Sequence, residues 1–86
     1  MKVKDLKKLL NAVDKNLTVV LAKDSEGNSF SPLSDHSINI YGPNSTWSGD
    51  IYLVELTPEY EADGYTEDDL YHGDNGEKAL VLWPAN

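Results

Sequence analysis

The chain has 86 residues, no cysteine, no arginine and a formal net charge of −8 at neutral pH. A chain of this length forms one domain with a small margin of stability, and the absence of cysteine excludes disulfides and thiolate metal sites. The acidic balance argues against direct nucleic-acid binding, which needs a basic surface, and no apolar run approaches the ~20 residues that cross a bilayer.

The charges are separated along the chain. Residues 1–23 carry +4, residues 24–77 carry −13 and residues 78–86 carry +1. No lysine interrupts the acids between Asp24 and Glu77. The first five residues are too charged for a secretory leader, and net negative charge is repelled by anionic lipid. We therefore expect a cytoplasmic protein without membrane contact.

The N-terminal segment predicts an amphipathic helix over residues 3–13, followed by a strand over residues 17–22. Asp5 lies in the first helical turn, where the helix dipole favours an anion. The strand is almost continuously apolar and rich in β-branched residues, so we place it in the centre of a sheet with both faces covered. The apolar stripe of the helix recurs at steps of three and four residues and consists of Val3, Leu6, Leu9, Leu10 and Val13.

Two more strands are predicted in the middle of the chain. Residues 37–41 alternate between polar and apolar side chains, and Gly42-Pro43 breaks the pattern. Residues 51–57 form the next alternating strand, and Trp47 lies in the polar loop between the two. Before them, residues 24–28 predict a turn rather than a calcium loop, because the EF-hand spacing of ligands is missing.

The segment from Pro58 to Gly76, called the acidic segment below, contains seven acids and three tyrosines. We interpret it as an insertion within a single domain of residues 1–86. Its Thr66–Asp69 stretch resembles a capping box, which predicts one or two helical turns through Leu70 and Tyr71. Residues 78–83 then form an apolar strand inside the sheet, with Trp83 in the core. This order predicts an α+β domain, its N-terminal helix packed on a mostly antiparallel sheet of four or five strands.

Four of these segments, in this order along the chain, resemble a known group of proteins. The segments concerned are the apolar strand, the 24–28 turn, Phe30-Ser31-Pro32-Leu33 behind it and the terminal Val81-Leu82-Trp83-Pro84. Together they resemble small accessory proteins encoded by tailed bacteriophages and prophages. The resemblance covers both ends of the chain and the first turn. It implies expression in the cytoplasm of a bacterial host, and it implies the roles usual for small acidic phage proteins, which bind and block host factors, including defence systems.

Catalytic and metal-binding signatures are missing. His36 and His72 do not form a zinc-ligand spacing, and no nucleophile elbow or glycine-rich phosphate loop occurs. The acids at 63 and 67–69 could hold a hard cation weakly, but a run of exposed acids is normally just solvated. We therefore expect a protein that is not an enzyme and that has no cofactor and no metal.

The tyrosines of the acidic segment allow two interpretations, which we weigh equally. They either pin an irregular segment onto the sheet or supply contact area to a partner. In the second case the acids attract a basic protein surface, and we expect the partner to be a host nucleic-acid-binding protein whose phosphate-binding cleft the carboxylates block. The expected contact residues are Glu59, Glu61, Asp63, Tyr65, Glu67, Asp68, Asp69, Tyr71 and Trp47. The alternative is a structural or assembly module that forms a homodimer, in which the acids serve only solubility.

Overall fold

The computed structural model describes residues 1–22 and 30–85, so the turn predicted at 24–28 lies outside the described residues. In the described part, an N-terminal helix and a four-stranded mixed sheet confirm the expected α+β architecture. The elements in chain order are α1 (Val3–Ala12), β1 (Thr18–Leu21), β2 (Leu33–Pro43), β3 (Gly49–Tyr52), α2 (Pro58–Ala62), a 3-10 turn (Glu67–Asp69) and β4 (Glu77–Pro84).

The last strand, β4, lies inside the sheet, as predicted. The order of strands is β1-β4-β2-β3, and β4 pairs parallel with β1 and antiparallel with β2. β2 also pairs antiparallel with β3, so two of the three pairings are antiparallel. The core of the described residues is centred on β4, where Ala79, Leu80 and Val81 are 0%, 2% and 1% exposed.

The position predicted for the first strand is wrong, although the strand itself exists. β1 lies at the edge of the sheet, and within the described residues it pairs only with β4. Val19 and Leu21 are therefore 60% and 67% exposed. Apolar composition predicts a strand, but the pairing partners decide whether that strand becomes central.

The two middle strands differ from their predicted ranges. β2 is longer than residues 37–41 and passes through Gly42-Pro43, so the predicted break is missing. β3 ends at Tyr52, and residues 51–57 are therefore not one strand. The reason is visible at Leu53, whose N–H donates to Asp69 O at 3.0 Å and which forms an isolated parallel bridge with Leu70.

Helix α1 ends one residue before the predicted end. Three members of its apolar stripe, Leu6, Leu9 and Val13, are half-buried, whereas Val3 and Leu10 are exposed. At its start, Lys2 N donates to the Asp5 carboxylate at 2.9 Å, so the acid of the first turn caps the helix as well as complementing its dipole. The buried side of the helix is thus narrower than the apolar stripe in its sequence, because two of the five stripe residues are exposed.

The register of the strands assigns each side chain to one of two faces, because paired residues share a face and successive residues alternate. One face, called the groove face below, carries the tryptophan of β4. The other, called the opposite face, carries Leu80 and the paired residues Ile38, Ile40, Tyr52, Val19, Leu21 and Leu82. The groove face carries Thr18, Val20, Ser37, Asn39, Tyr41, Ile51, Glu77, Ala79, Val81 and Trp83.

Candidate functional site: the acidic segment and the groove face

Local caps order the backbone of the acidic segment. Thr57 Oγ1 accepts a hydrogen bond from Tyr60 N at 3.2 Å at the start of α2, and Pro58 occupies the first helical turn, where its missing N–H costs nothing. The predicted capping box is confirmed, since Thr66 N donates to Asp69 Oδ2 at 2.9 Å and Asp68 N donates to Thr66 Oγ1 at 3.2 Å.

The helical turns of the segment lie before Leu70 and Tyr71, not through them as predicted. They span residues 58–62 and 67–69. The 3-10 turn is closed by two hydrogen bonds, from Asp69 N to Thr66 O and from Leu70 N to Glu67 O. Leu70 then leaves the helical turn and pairs with Leu53 beside the end of β3. The His72 ring holds the same turn through a 2.8 Å contact between Nε2 and Glu67 O.

Tyr71 fixes the acidic segment to the opposite face of the sheet. Its ring is half-buried, 5.1 Å from the ring of Tyr52 between centroids, and its hydroxyl donates to Asn75 Oδ1. Gly42 leaves the space for that ring, because a Cβ there would lie 2.5 Å from Tyr71 Cε1. This packing favours the pinning interpretation for Tyr71, and its contact with a partner stays a prediction.

Tyr65 forms a surface pair with Tyr60, a residue outside the set of expected contact residues. The two rings meet edge to face at 5.3 Å, and both are exposed. Gly64 makes this possible, since its φ of +99° reverses the chain after α2 and lets Tyr65 N donate to Tyr60 O at 3.0 Å. A glycine directly after a short capped helix is the sequence signal that could have predicted the pair.

Most carboxylates of the acidic segment are exposed, and no lysine of the described residues forms an ion pair with them. Within residues 1–22 and 30–85, His36 Nδ1 lies 4.0 Å from Asp35 Oδ1, and no lysine of that part pairs with a carboxylate. The lysine-bearing helix α1 leads into β1, whereas the acidic segment joins the sheet beside β3, at its other edge. Of the expected contact residues, Asp69 is half-buried, and the exposed acids are Glu59, Glu61, Asp63, Glu67 and Asp68.

A second surface, a groove on the sheet, is not predicted by any pattern in the sequence. A cavity of about 440 Å³ lies over the groove face and reaches from β1 across to β3 and the 46–48 loop. No sequence signal pointed to it, because its residues come from four separate stretches that only the strand order brings together. Its aromatic and aliphatic lining includes Val20, Tyr41, Trp47, Ile51, Val81 and Trp83.

Trp47, the one expected contact residue outside the acidic segment, lies at the rim of this groove and is 76% exposed. A tight hairpin loop presents it. Asn44 N and Ser45 N both donate to Ser48 O, at 2.9 and 3.1 Å, and Ser45 Oγ accepts from Trp47 N at 3.3 Å. Three polar contacts within five residues hold the loop, so Trp47 projects from an ordered support.

The prediction that Trp83 lies in the core is wrong. The side chain is 36% exposed and forms a wall of the groove, because β4 ends there beside the short edge strand β1. A chain of hydrogen bonds fixes its orientation: Trp83 Nε1 donates to Ser37 Oγ at 2.8 Å, Ser37 Oγ to Asn39 Oδ1 at 2.6 Å, and Asn39 Nδ2 to Tyr52 O at 3.2 Å. The chain links β4, β2 and β3 under the groove.

Among the described residues, no group of three or more histidine, aspartate or glutamate side chains is arranged to hold a metal ion. In the same ranges no helix has the length and apolar character that crossing a bilayer requires.

Comparisons of the chain with protein-family models, with curated proteins and with solved structures found no match. The resemblance to small phage accessory proteins therefore stays a prediction, and the two surfaces described above are the basis for a functional proposal.

Proposed function

We propose that this chain is a small acidic binding protein that docks its acidic segment on a basic surface of a larger protein and inhibits it. The partner proposed is a nucleic-acid-handling protein of a bacterial host, and the setting is a phage or prophage acting on host functions such as defence. The chain itself is not an enzyme in this proposal, and its place of action is the host cytoplasm.

The observation that carries the proposal is the exposure of five carboxylates on an ordered support without a lysine paired to any of them in the described chain. Charges that are not neutralised within a protein remain available to a partner and speed its encounter. The caps at Thr57 and Thr66 and the ring of Tyr71 hold the backbone, so docking loses little conformational entropy.

Short-range contact would come from the exposed Tyr60–Tyr65 pair. Tyrosine contributes large contact area at a low entropic cost and is enriched among residues that dominate binding energy. Exposed acids beside two tyrosines match a cleft that combines basic side chains with apolar surface, and a cleft that binds nucleic acid has this composition.

The test is capture of partners from a bacterial host lysate with three forms of the protein. The first is the wild type, and the second carries Glu59→Gln, Glu61→Gln and Asp63→Asn. The third, a matched control, carries Asp14→Asn, Asp35→Asn and Glu55→Gln, which changes the net charge equally outside the acidic segment. We expect the wild type and the control to retain a partner at low salt and release it at high salt.

We expect the second form to lose that partner, because the neutralised carboxylates belong to the docking surface. The retained partner should also lose its affinity for DNA or RNA when the wild type is added, which a gel-shift competition measures. Equal retention by all three forms contradicts the proposal, since it would show that the acidic segment is not the contact surface.

A second function, a homo-oligomeric assembly module, is favoured by a separate observation. The edge strand β1 exposes Val19 and Leu21 and, in the described chain, pairs on one side only. Open apolar edges are templates for pairing with another chain. Sedimentation over a hundredfold range of protein concentration separates the functions, because a concentration-dependent dimer favours the assembly module.

A further inference from the structure

We propose that the groove on the groove face binds an extended, arginine-bearing segment of the partner. The proposal rests on the proposed function, since it supplies a second contact with the same basic partner. The ligand proposed for the groove is a guanidinium held between aromatic rings and a carboxylate. This contact differs from the charge contact made by the acidic segment.

The lining of the groove suits a cation with a long apolar stem. Its walls include the rings of Trp47, Trp83 and Tyr41, and its floor includes Val20 and Val81. Aromatic faces attract guanidinium groups, and the methylene stem of arginine packs on aliphatic surface while the charged head stays near water. Arginine is preferred over lysine in such a setting because its planar group stacks on rings and is less strongly hydrated.

The charges around the groove are complementary to that ligand. The carboxylate on the groove face is Glu77, which pairs with the lining residue Tyr41 and whose Oε2 accepts from the lining residue Thr18 through Oγ1 at 2.8 Å. Asp50 also contributes to the rim, but it pairs with Gly42 and shares the face of Tyr52, so its side chain belongs to the opposite face. No described lining residue is a lysine or histidine, so the described lining offers no positive charge to an anionic ligand.

The dimensions indicate a peptide rather than a compact small molecule. The groove runs across all four strands, which at the usual spacing between strands is about 14 Å. An extended chain advances about 3.3 Å per residue, so the groove accommodates about four to five residues. Alternate side chains of such a segment point the same way, which places two arginines of an Arg-x-Arg stretch toward the floor and rim.

The experiment uses the intrinsic fluorescence of the full chain, because its two tryptophans, Trp47 and Trp83, both line the groove. The probe is an acetylated and amidated Ala-Arg-Ala-Arg-Ala peptide, and the neutral comparison peptide contains citrulline at both arginine positions. We expect the arginine peptide to change the fluorescence in a saturable way and the citrulline peptide to bind at least tenfold more weakly.

Variants then locate the site. We expect Glu77→Gln and Trp47→Ala each to weaken binding of the arginine peptide about tenfold, measured by calorimetry where the tryptophan is removed. Trp47→Phe, which keeps a ring, should lose less than Trp47→Ala. Glu55→Gln is the matched control, the same substitution at an exposed position outside the groove lining and the acidic segment, and should stay within about twofold of the wild type. Circular dichroism melts verify that each variant is folded.

Three results would overturn the inference: no saturable signal with the arginine peptide at millimolar concentration, equal binding of the citrulline peptide, or an equal loss in Glu77→Gln and Glu55→Gln. These failures are distinct from failure of the proposed function. If the lysate partner is still retained through the acidic segment while the groove binds no arginine peptide, only the inference about the groove is wrong.

Discussion

Strands β1 and β4 have similar apolar compositions and opposite environments. Residues 17–22 and 78–83 each form a short apolar run, and the two strands pair with each other in parallel. Yet Leu80 of β4 is 2% exposed, while its partner in the register, Val19 of β1, is 60% exposed. Their burial therefore depends on what lies on each side of the strand, not on hydrophobicity.

The long strand β2 explains the difference. It pairs with β4 from Leu33↔Pro84 to Tyr41↔Glu77, almost the whole length of β4, whereas β1 has four residues and one described neighbour. A strand with a neighbour on each side is shielded by both rows of side chains. The stability of this fold is therefore concentrated in β4 and its partner β2, whereas β1 is an exposed edge strand.

The largest expected effect comes from truncating the buried strand. Leu80→Ala removes a side chain that is almost fully buried and leaves a cavity, so we expect a loss of about 2–5 kcal/mol in the free energy of unfolding. For a domain of this size such a loss is a large part of the total stability. Urea denaturation followed by circular dichroism measures it.

Leu21→Ala is the matched control, the same substitution on the exposed strand. Leu21 is 67% exposed, so we expect a loss below about 0.5 kcal/mol. Comparable losses in the two variants would break the contrast between β1 and β4, because they would show that β1 is covered in solution.

A smaller effect tests how the acidic segment is attached to the sheet. In Gly42→Ala the new Cβ meets the ring of Tyr71, the closest atom being at 2.5 Å. We expect a loss of about 1–3 kcal/mol from overpacking and faster amide hydrogen exchange in residues 66–71, because Tyr71 must move away from Tyr52.

The control is a double-mutant cycle. If the crowding involves Tyr71, Gly42→Ala should destabilise a Tyr71→Ala background by at least 1 kcal/mol less than it destabilises the wild type, because neighbouring residues are not additive. An additive cycle would mean that Tyr71 does not press on Gly42 and does not pin the segment.

Much of the architecture could be predicted from local patterns. Periodicity located α1 to within a residue, and the apolar run before Pro84 gave β4 and its internal position. The capping box at Thr66 could be predicted because its hydrogen bonds join residues that are only two and three positions apart in the sequence. These features depend on neighbours in the sequence.

The rest depends on contacts between distant residues, which one sequence does not reveal. The edge position of β1 follows from the strand order, and the end of β3 at Tyr52 follows from the bond between Leu53 and Asp69. The groove gathers residues 18–22, 41, 46–51, 81 and 83, none of which forms a motif by itself. For the same reason Trp83, apolar and at the end of a strand, was expected in the core.

The caps of the acidic segment give the next smaller effect. Thr57→Ala removes the hydroxyl that accepts from Tyr60 N at the start of α2, and such losses cost about 1 kcal/mol. We expect that decrease in the free energy of unfolding, measured by urea denaturation. Thr57→Ser keeps the hydroxyl and should stay within about 0.5 kcal/mol of the wild type; an equal decrease in both variants would mean that the lost methyl group, and not the cap, is responsible.

The smallest effect on stability is expected at the edge itself, where Leu21→Lys should change the free energy of unfolding by less than about 0.5 kcal/mol. It should still change association, because a lysine on an open edge strand opposes pairing with a second chain. The assembly function predicts weak self-association of the wild type in sedimentation velocity at millimolar concentration, and a reduction of it in Leu21→Lys. Leu10→Lys adds the same charge at an exposed position of α1, away from the edge of the sheet, and should leave association unchanged. Equal reduction by both variants would assign the effect to net charge, whereas a wild type that stays monomeric throughout would show that the exposed side chains of β1 are tolerated without a pairing partner.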